Sequence, residues 1–215
     1  MLLSPAIQDY LKVIFTIQEE HSLVTTNDIA RALNVSAASV TGMIKRLDQM
    51  QLVIHESYKG VKLTTSGEKI ALEIIRHHRL LETYLREIMG YPWETLHEEA
   101  EHLEHHISEE FEERMDALLG HPTHDPHGHP IPTTDLKIER AATIPLSKAP
   151  DNQTLTIYHL SDTDSSILHL AESIGLMPGC EVQILERSQD GMTVRVQNQD
   201  EFIHHEVASS IYVIS

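Results

Sequence analysis

Two acidic, histidine-rich stretches of the chain carry the side chains best suited to hold a metal ion. One stretch repeats carboxylates and imidazoles at helical spacing, in the order His97, Glu101, Glu104 and His105. Because steps of three and four return to the same face of an α-helix, these side chains would be neighbours. The preceding stretch offers His78 and Glu82, again four residues apart. Two antiparallel helices would bring both sets into one cleft, whose oxygen and nitrogen donors suit a hard-to-borderline divalent metal ion.

The same pattern has an ordinary explanation, because acidic helices contain Glu-x-x-Glu by chance. His77, His102 and His106 fall off the predicted metal face, and we expect them to be solvated. Asp125 and His127 lie in a stretch rich in proline, glycine and histidine, where polar side chains usually belong to turns. The run DPHG nevertheless brings an oxygen and a nitrogen donor close to one point, so both residues are candidate ligands.

Charge is distributed unevenly along the chain. The formal net charge of −17 falls entirely after residue 70, because residues 1–70 contain equal numbers of acidic and basic side chains. The histidines are concentrated in the stretch from residue 77 to residue 129. A neutral head followed by an acidic body suits a protein whose head meets DNA and whose body binds cations.

The composition also limits the cellular setting. Cys180 is the single cysteine, which excludes a disulfide within one chain. No stretch approaches the roughly 18–20 apolar residues of a membrane span. The N-terminus has neither the basic segment nor the cleavage site of a signal peptide. We therefore expect a cytoplasmic protein that has no membrane partner.

Residues 1–70 have the element order of a winged helix. Apolar residues at helical spacing predict helices over about 4–21, 27–33 and 37–50, and polar residues that precede them provide caps. Strand-like runs at 52–55 and 61–64 flank a turn that contains Gly60. Two short helices joined by a tight turn and followed by a hairpin form a winged helix-turn-helix.

The third predicted helix has a face of small side chains: Ser36, Ala37, Ser39 and Thr41. Small side chains let a helix enter the major groove of DNA, where Lys45 and Arg46 would reach phosphates. In the wing, Tyr58 and Lys59 would touch the adjacent DNA backbone. The alternative is a helix-turn-helix kept only as a scaffold for protein contacts.

After residue 70 the pattern predicts helices followed by a small β domain. One helix continues to Gly90, and a further helical stretch over 93–119 ends at Gly120. A proline- and histidine-rich loop follows. Strand-like runs then occur at 154–158, 181–187, 192–197, 201–207 and 211–214, interrupted by one helix at about 164–174. The predicted fold is mostly α, with a winged helix at the N-terminus and an SH3-like β-barrel at the C-terminus.

These residues resemble the DtxR/MntR family of metal-dependent transcriptional repressors from end to end. The head is similar in VSAASVTGMIKRL and LVIHESYKGVKLTTSGEKIAL, and the body in HHRLLETYL, LHEEAEHLEHHISEEFEERM and DPHGHPIP. The run SDTDSSILHLAESIGLMPG resembles the FeoA-type SH3 domain of the longer members. The resemblance implies a DNA-binding domain over 1–70, a helical metal-binding and dimerisation domain over 71–140, and a FeoA-like SH3 domain over 150–215.

The resemblance also assigns metal ligands. The primary site would use Asp9, Glu101, Glu104 and His105. The ancillary site would use His78, Glu82 and His97. Asp125 and His127 fall where some relatives have further ligands, and Asp162 or Asp164 would be the ligand that a C-terminal domain can donate. Because Asp9 belongs to the head, metal would couple the head to the helices and act as a co-repressor.

The donor atoms favour Mn(II), with Fe(II) as the second choice. The iron-type pattern of the family has sulfur at the positions of Asp9 and Glu101, whereas this chain has oxygen, which suits the harder ion. Lys12 stands where the manganese type has a second carboxylate, which argues against a two-manganese cluster of that design. The expected partners are a double-stranded DNA operator and a second copy of the chain, with no small-molecule substrate.

Three other functions stay open on the residues alone. A metal-dependent hydrolase would use Glu101 or Glu104 as its base, but the chain has no HExxH or nucleophile motif, so we expect no enzyme. A winged-helix regulator that responds to an organic ligand would bind its operator without metal. A metal buffer would use the surplus histidines but would leave the recognition helix without a role.

Overall fold

The computed structural model describes residues 3–20, 23–56, 60–151, 153–162 and 164–214. The chain divides into two compact units. The first contains residues 1–77 and 132–137, and the second contains residues 78–131 and 138–215. The three domains predicted from the sequence have different limits from these two units, and those limits stay a prediction.

The first unit is a winged helix-turn-helix. Its elements are α1 (Pro5–Glu20), α2 (Thr26–Ala32), α3 (Ala37–Gln49), β1 (Val53–Glu56), β2 (Gly60–Leu63) and the first part of α4 (Thr65–Glu87). Thr25 caps α2 through a reciprocal pair of hydrogen bonds with Asp28, and the Ser36 hydroxyl accepts from the Ser39 amide at the start of α3. Such caps satisfy amides that the first helical turn leaves unpaired, so the predicted helix starts are confirmed.

The wing is tied to the helices of the same unit by polar contacts as well as by packing. β1 and β2 pair antiparallel, with Val53 opposite Leu63. The Gln18 side-chain carbonyl of α1 accepts a hydrogen bond from the Leu63 amide at 2.8 Å. The two wing residues predicted to touch DNA, Tyr58 and Lys59, lie outside the described residues.

The helical part of the second unit differs from the single stretch predicted over 93–119. A 3₁₀ turn (Trp93–Thr95) leads into α5 (Leu96–Leu103), and the chain leaves the helix before α6 (Glu109–Leu118) begins. Ser108 caps α6 by accepting from the Phe111 amide. The prediction of one continuous helix is therefore wrong, because the serine cap starts a new helix after a turn at residues 104–106.

A six-stranded antiparallel sheet forms the rest of the second unit, in the strand order β3-β8-β4-β5-β6-β7. The strands are β3 (Ile144–Pro145), β4 (Thr154–Leu160), β5 (Glu181–Arg187), β6 (Gly191–Val196), β7 (Gln199–His204) and β8 (Ile211–Ile214). Helix α7 (Ser165–Ile174) confirms the predicted helix, whereas α8 (His205–Ser210) begins inside the run predicted as a strand over 201–207. The small β domain of the predicted fold class is confirmed.

One hydrophobic core runs through the helices and the sheet of the second unit. It extends from Leu80 on α4 through Trp93, which is fully buried, to Val213 on β8. Aliphatic side chains that alternate along β5 and β6 face this core. Helices and sheet of this unit therefore fold around a shared interior. Among the described residues, no helix is long and apolar enough to span a membrane.

Two glycines in the first unit should respond in opposite ways to the same substitution. A Cβ on Gly42, in α3, would meet nothing within 4 Å, whereas a Cβ on Gly67, in α4, would lie 2.0 Å from the Leu52 carbonyl oxygen. Gly42→Ala should raise the free energy of unfolding by about 0.5–1 kcal/mol, because alanine loses less backbone entropy in a helix. Gly67→Ala should lower it by more than about 1 kcal/mol.

Urea unfolding followed by circular dichroism measures both variants under the same conditions. The two alanines differ only in what their methyl groups meet, so each is the control for the other. A loss of stability in Gly42→Ala would contradict this account of the α3 surface.

Candidate metal centre and nucleic-acid interface

The exposed face of α3 is the candidate DNA-binding surface of the first unit. All six residues predicted for it are exposed: Ser36, Ala37, Ser39, Thr41, Lys45 and Arg46. The Thr41 hydroxyl donates to the Ala37 carbonyl at 2.8 Å, and the Ser36 and Ser39 hydroxyls lie 2.9 Å apart. The opposite face is buried through Val40, Ile44 and Leu47. The helix thus presents small side chains and two cations outward while its apolar face fixes its orientation.

His78 is the centre of the polar cluster in the second unit. Its ring is buried on α4, and its Nδ1 lies 2.6 Å from Glu104 Oε2. Its Nε2 lies 3.0 Å from Glu82 Oε1 and 3.1 Å from His97 Nδ1. The expected convergence of α4 with the following helix is therefore present, because one imidazole contacts groups from both elements.

The first group of candidate ligands surrounds Glu104, which is fully buried where α5 ends. His105 Nε2 lies 3.5 Å from Glu104 Oε1, and Glu101 Oε1 lies 4.0 Å from His78 Nδ1. Because the helix ends at this point, the backbone turn as well as helical spacing brings these side chains together. Asp9 is half-buried on α1 of the first unit, and its role as a ligand stays a prediction.

The second group of candidate ligands surrounds Glu82, whose side chain is fully buried. His97 Nδ1 lies 3.3 Å from Glu82 Oε1 and 3.6 Å from Asp162 Oδ2. His127 Nδ1 donates to Glu82 Oε2 at 3.2 Å. Side chains from four segments therefore converge around Glu82 and His97: α4, α5, the loop after α6 and the chain just after β4.

The loop that follows α6 is ordered around Asp125. Oxygen Oδ1 of Asp125 accepts from the amides of His127 and His129 at 2.8 and 3.0 Å. Gly128 has a φ of +89°, and a Cβ there would lie 2.1 Å from the Tyr158 carbonyl oxygen. His127 is fully buried, with its ring stacked against Trp93 at 5.2 Å. These residues are parts of the interior rather than solvated turn residues.

The donor geometry fits a divalent metal ion. Ligands of one six-coordinate ion with bonds of about 2.0–2.2 Å lie about 3 Å from their neighbours. In the group around Glu82, His78 Nε2 lies 3.0 Å from Glu82 Oε1, and His97 Nδ1 lies 3.3 Å from Glu82 Oε1 and 3.6 Å from Asp162 Oδ2. Two buried atoms in this region, Asp125 Oδ2 and His127 Nε2, have no hydrogen-bond partner in the part of the chain that the structure describes. Buried polar atoms rarely stay unsatisfied, so an ion is a fitting partner.

Electrostatics keep the buried pair of Glu82 and His127 charged. Burial raises the pKa of Glu82, but the neighbouring His78 and His127 outweigh it and hold this pKa well below its usual range. Burial favours the neutral form of His127, but the hydrogen bond to Glu82 and the charges of Glu82 and Asp125 raise its pKa to about 9. Without metal, the pair therefore consists of a carboxylate and an imidazolium, and a metal ion bound by the imidazole would have to displace a proton of His127.

The other candidates divide by exposure. Asp164 caps α7 by accepting from the Ser166 amide, whereas Asp162 lies beside His97, so Asp162 is the candidate that joins the cluster.

His102 and His106 are exposed as predicted. His77 is buried at 6% exposure, so the prediction that it is solvated was wrong. The helical pattern missed it because α4 packs on more than one face.

Sequence reasoning also missed His129, whose Nδ1 lies 3.5 Å from Asp125 Oδ2 and 3.9 Å from Asp162 Oδ2. The signal that would have found it is its position two residues after His127, because a tight turn places alternate side chains of a loop on the same side.

Comparisons with known proteins give matches along nearly the whole chain. Residues 2–61 match the family model for the iron dependent repressor N-terminal DNA binding domain, residues 64–133 the metal binding and dimerisation domain, and residues 144–215 the FeoA domain. The iron-dependent repressor IdeR of Mycobacterium leprae is 28% identical over 95% of this chain and 94% of its own length. The regulator MntR of Bacillus subtilis is 39% identical over 49% of this chain and 73% of its own length.

A solved structure extends the likeness to the whole chain. A manganese-dependent transcriptional repressor in complex with manganese is 37% identical, with a TM-score of 0.92 over 97% of this chain and 99% of that one. The helices and the sheet therefore have the fold of that repressor, and the 37% identity also indicates common descent.

In the metal-free protein, stability should fall as the pH rises from about 7 to 9.5. The pKa of His127 is raised from 6.5 to about 9, so its contribution is complete below pH 6.5 and is lost as the pH rises through about 9. Urea unfolding in excess chelator should lose up to about 3 kcal/mol across this range. The control is Glu82→Gln, which removes the partner charge and should flatten the profile. An equal decline in both proteins would mean that other groups titrate.

Proposed function

This chain belongs to the family of metal-dependent, DNA-binding transcriptional repressors that contains the iron-dependent repressors and MntR, and from that premise we propose that it represses genes of metal homeostasis with Mn(II) as its co-repressor. Members of this family bind DNA and are not enzymes. The observation that carries the proposal is the buried cluster of carboxylates and imidazoles around His78, on the segment that matches the family's metal-binding domain.

The chemistry of the donors supports Mn(II). In the described residues every group of ligand-type side chains consists of carboxylates and imidazoles, and none includes Cys180. Oxygen-rich sets with some imidazole suit Mn(II), whereas thiolate and thioether sets suit softer ions. Fe(II) is the second candidate, because imidazole and carboxylate also bind it. The proteins with 28% identity and with a TM-score of 0.92 are an iron-dependent and a manganese-dependent repressor, which is consistent with either ion.

Two groups of side chains would hold the ions in this proposal. Glu101, Glu104 and His105 would form one group, in which His105 Nε2 lies 3.5 Å from Glu104 Oε1, and the family resemblance adds Asp9. His78, Glu82, His97 and Asp162 form the other. A bound ion would neutralise these carboxylates and hold side chains from several segments in one arrangement. We infer that a bound ion lowers the entropic cost of ordering these segments when the protein binds DNA. By linkage, bound DNA would then raise the affinity for metal.

The proposed operator complex is that of a dimer. Large apolar side chains are exposed between the end of α4 and the end of α6: Ile88, Met89, Leu103, Phe111 and Leu118. Exposed apolar side chains in a segment that matches a dimerisation domain favour burial against a second copy of the chain. A two-fold dimer would place its two α3 helices in major grooves about 34 Å apart, or a multiple of that distance.

Operator affinity should depend on metal through Glu104. In fluorescence anisotropy with a DNA duplex from the regulated promoter, wild type should bind with Mn(II) or anaerobic Fe(II), and at least 10-fold more weakly in chelator. Glu104→Gln keeps the size of the side chain but removes a negative oxygen donor, so its operator affinity should lose most of the metal response. The matched control is His106→Ala, which changes an exposed histidine of the same turn and should behave as wild type.

Each result discriminates between functions. Equally tight binding of wild type in chelator would overturn the co-repressor mechanism and favour a regulator whose effector is organic. A stronger response to Fe(II) than to Mn(II) at equal free concentration would replace manganese with iron.

The recognition surface has its own test. Arg46 is exposed on α3, so Arg46→Ala should weaken binding to specific and random duplexes alike and reduce the slope of log K against log salt by about 1, as expected for one phosphate contact. Lys148→Ala removes an exposed cation of the second unit and is the charge-matched control. An unchanged salt slope in Arg46→Ala would remove this residue from the DNA interface.

A further inference from the structure

One edge of the six-stranded sheet is open and long enough to accept another strand. Strand β7 is the last strand of the sheet, and in the described part of the chain no strand pairs with its outer edge. The opposite edge is β3, which has two residues and ends in Pro145. Short strands and prolines protect a sheet edge from pairing, and β3 has both features whereas β7 has neither. The sheet of the second unit can therefore be extended at β7.

Alternate residues of β7 direct their backbone groups to the open edge. The register places Gly191 of β6 opposite His204. One pair further along, the His205 amide donates to the Asp190 carbonyl at 3.2 Å, so that pair is hydrogen-bonded and the pair of Gly191 and His204 is not. Because bonded and non-bonded pairs alternate along an antiparallel ladder, three residues have their N–H and C=O groups on the open side: Asp200, Phe202 and His204.

The side chains of these three residues form an exposed row on one face of the strand. Phe202 is 50% exposed, and its ring lies 5.3 Å from that of His204. The Asp200 carboxylate accepts from Nε and Nη2 of Arg195 at 2.7 and 2.9 Å. Charged side chains on an edge normally repel a second strand, but this carboxylate is already paired with a cation of its own sheet. The edge therefore combines open backbone groups, an exposed aromatic ring and a compensated charge.

The order of residues from Asp200 to His204 makes this edge complementary to itself. When two β7 strands pair antiparallel about Phe202, Asp200 of each copy lies opposite His204 of the other, and the two Phe202 rings are neighbours. Pairs of opposite charge and pairs of aromatic rings stabilise a sheet. The residues that meet in this register also have their N–H and C=O groups on the open side, as hydrogen-bonded pairs require.

The neighbouring registers fit less well. A pairing centred on Glu201 would place two carboxylates directly opposite each other, which is unfavourable. A pairing centred on Ile203 would place Glu201 opposite His205, where the strand has ended and α8 has begun. Charge and strand length therefore select the register centred on Phe202.

We propose that β7 is an interface with a second copy of the chain, in which two β7 strands pair about Phe202 and join two C-terminal sheets into one. The contact is isologous, because both copies contribute the same residues. It lies on the sheet, whereas the exposed apolar side chains of the proposed dimer lie between the end of α4 and the end of α6. A chain that uses both contacts assembles beyond a dimer, and only this number of copies rests on the proposed function.

Sedimentation velocity of the full-length protein without DNA tests the interface. The mass of wild type should rise from that of a dimer towards that of a tetramer between about 1 and 100 µM, the range expected for a small interface. His204→Pro should raise the dissociation constant of this step about 10-fold or more, because it removes an N–H of the open edge together with the imidazole. The φ of −69° at His204 already suits proline, so this variant should fold.

A charge exchange tests the register. His204→Asp places a carboxylate opposite Asp200 of the other copy and should prevent the association. The double variant that combines Asp200→His with His204→Asp restores an opposite pair in reversed order and should regain it. The matched control is His169→Asp, which changes an exposed histidine of α7 and should associate as wild type does.

Two results would overturn the proposal. Wild type could keep one mass at every concentration, or its association could persist in both His204→Pro and His204→Asp, which would place the contact on another surface. Far-ultraviolet circular dichroism controls the folding of each variant, and the charge exchange provides the test if His204→Pro is unfolded. Metal-dependent operator binding in the same samples is a separate result: a variant that loses association but keeps this binding supports the interface and leaves the proposed function unchanged. A wild-type monomer that doubles through β7 would support the interface and contradict the proposed helical dimer.

Discussion

The second unit depends on two fully buried carboxylates, Glu82 and Glu104, that need compensating charge. An isolated carboxylate in a protein interior is so costly that it must be paired or neutralised. Here the partners are imidazoles: His78 lies between the two carboxylates, and His127 contacts Glu82 from the other side. Protons on histidines can provide this compensation, and so can a divalent ion. Without metal, the two buried carboxylates therefore rely on protonated histidines for compensation. Their burial also favours the binding of a divalent ion.

Compensation of these charges explains why distant segments of the chain converge. The helix break after Leu103 lets Glu104 turn towards His78. The loop after α6 delivers His127 to Glu82, and the end of β4 delivers Asp162 to His97. A hydrophobic core shared by helices and sheet surrounds the cluster, with Trp93 against the His127 ring. If the cluster holds a metal ion as proposed, metal binding would act on the contacts of the C-terminal sheet as well as on the helices.

The first unit is under a different constraint, because it has to bind DNA, a polyanion, although the rest of the chain is strongly acidic. Residues 1–70 are neutral overall, and the two cations proposed to contact phosphates, Lys45 and Arg46, are exposed on α3. Phosphate contacts provide affinity that depends on salt, whereas small side chains on a recognition helix allow the close approach that base contacts require. A metal ion that offsets part of the negative charge of the second unit would also reduce its repulsion of DNA.

The sequence alone determined the features that depend on local physics. Helix starts follow from caps such as Thr25 and Ser36, whose hydrogen bonds are made within three residues, and the winged helix follows from their order. The spacing of His78 with Glu82 predicted their contact because an α-helix fixes that distance. The end-to-end resemblance predicted the metal-dependent repressor family, which the comparisons confirmed.

Only the tertiary structure decided which groups meet across the sequence. It separated Asp162 from Asp164, since one approaches His97 and the other caps a helix. It also brought His129 to Asp125 and Asp162, and it buried His77. Spacing rules extend over one or two helical turns, whereas these outcomes depend on how loops and sheet pack around a common core, and that packing is a property of the whole unit.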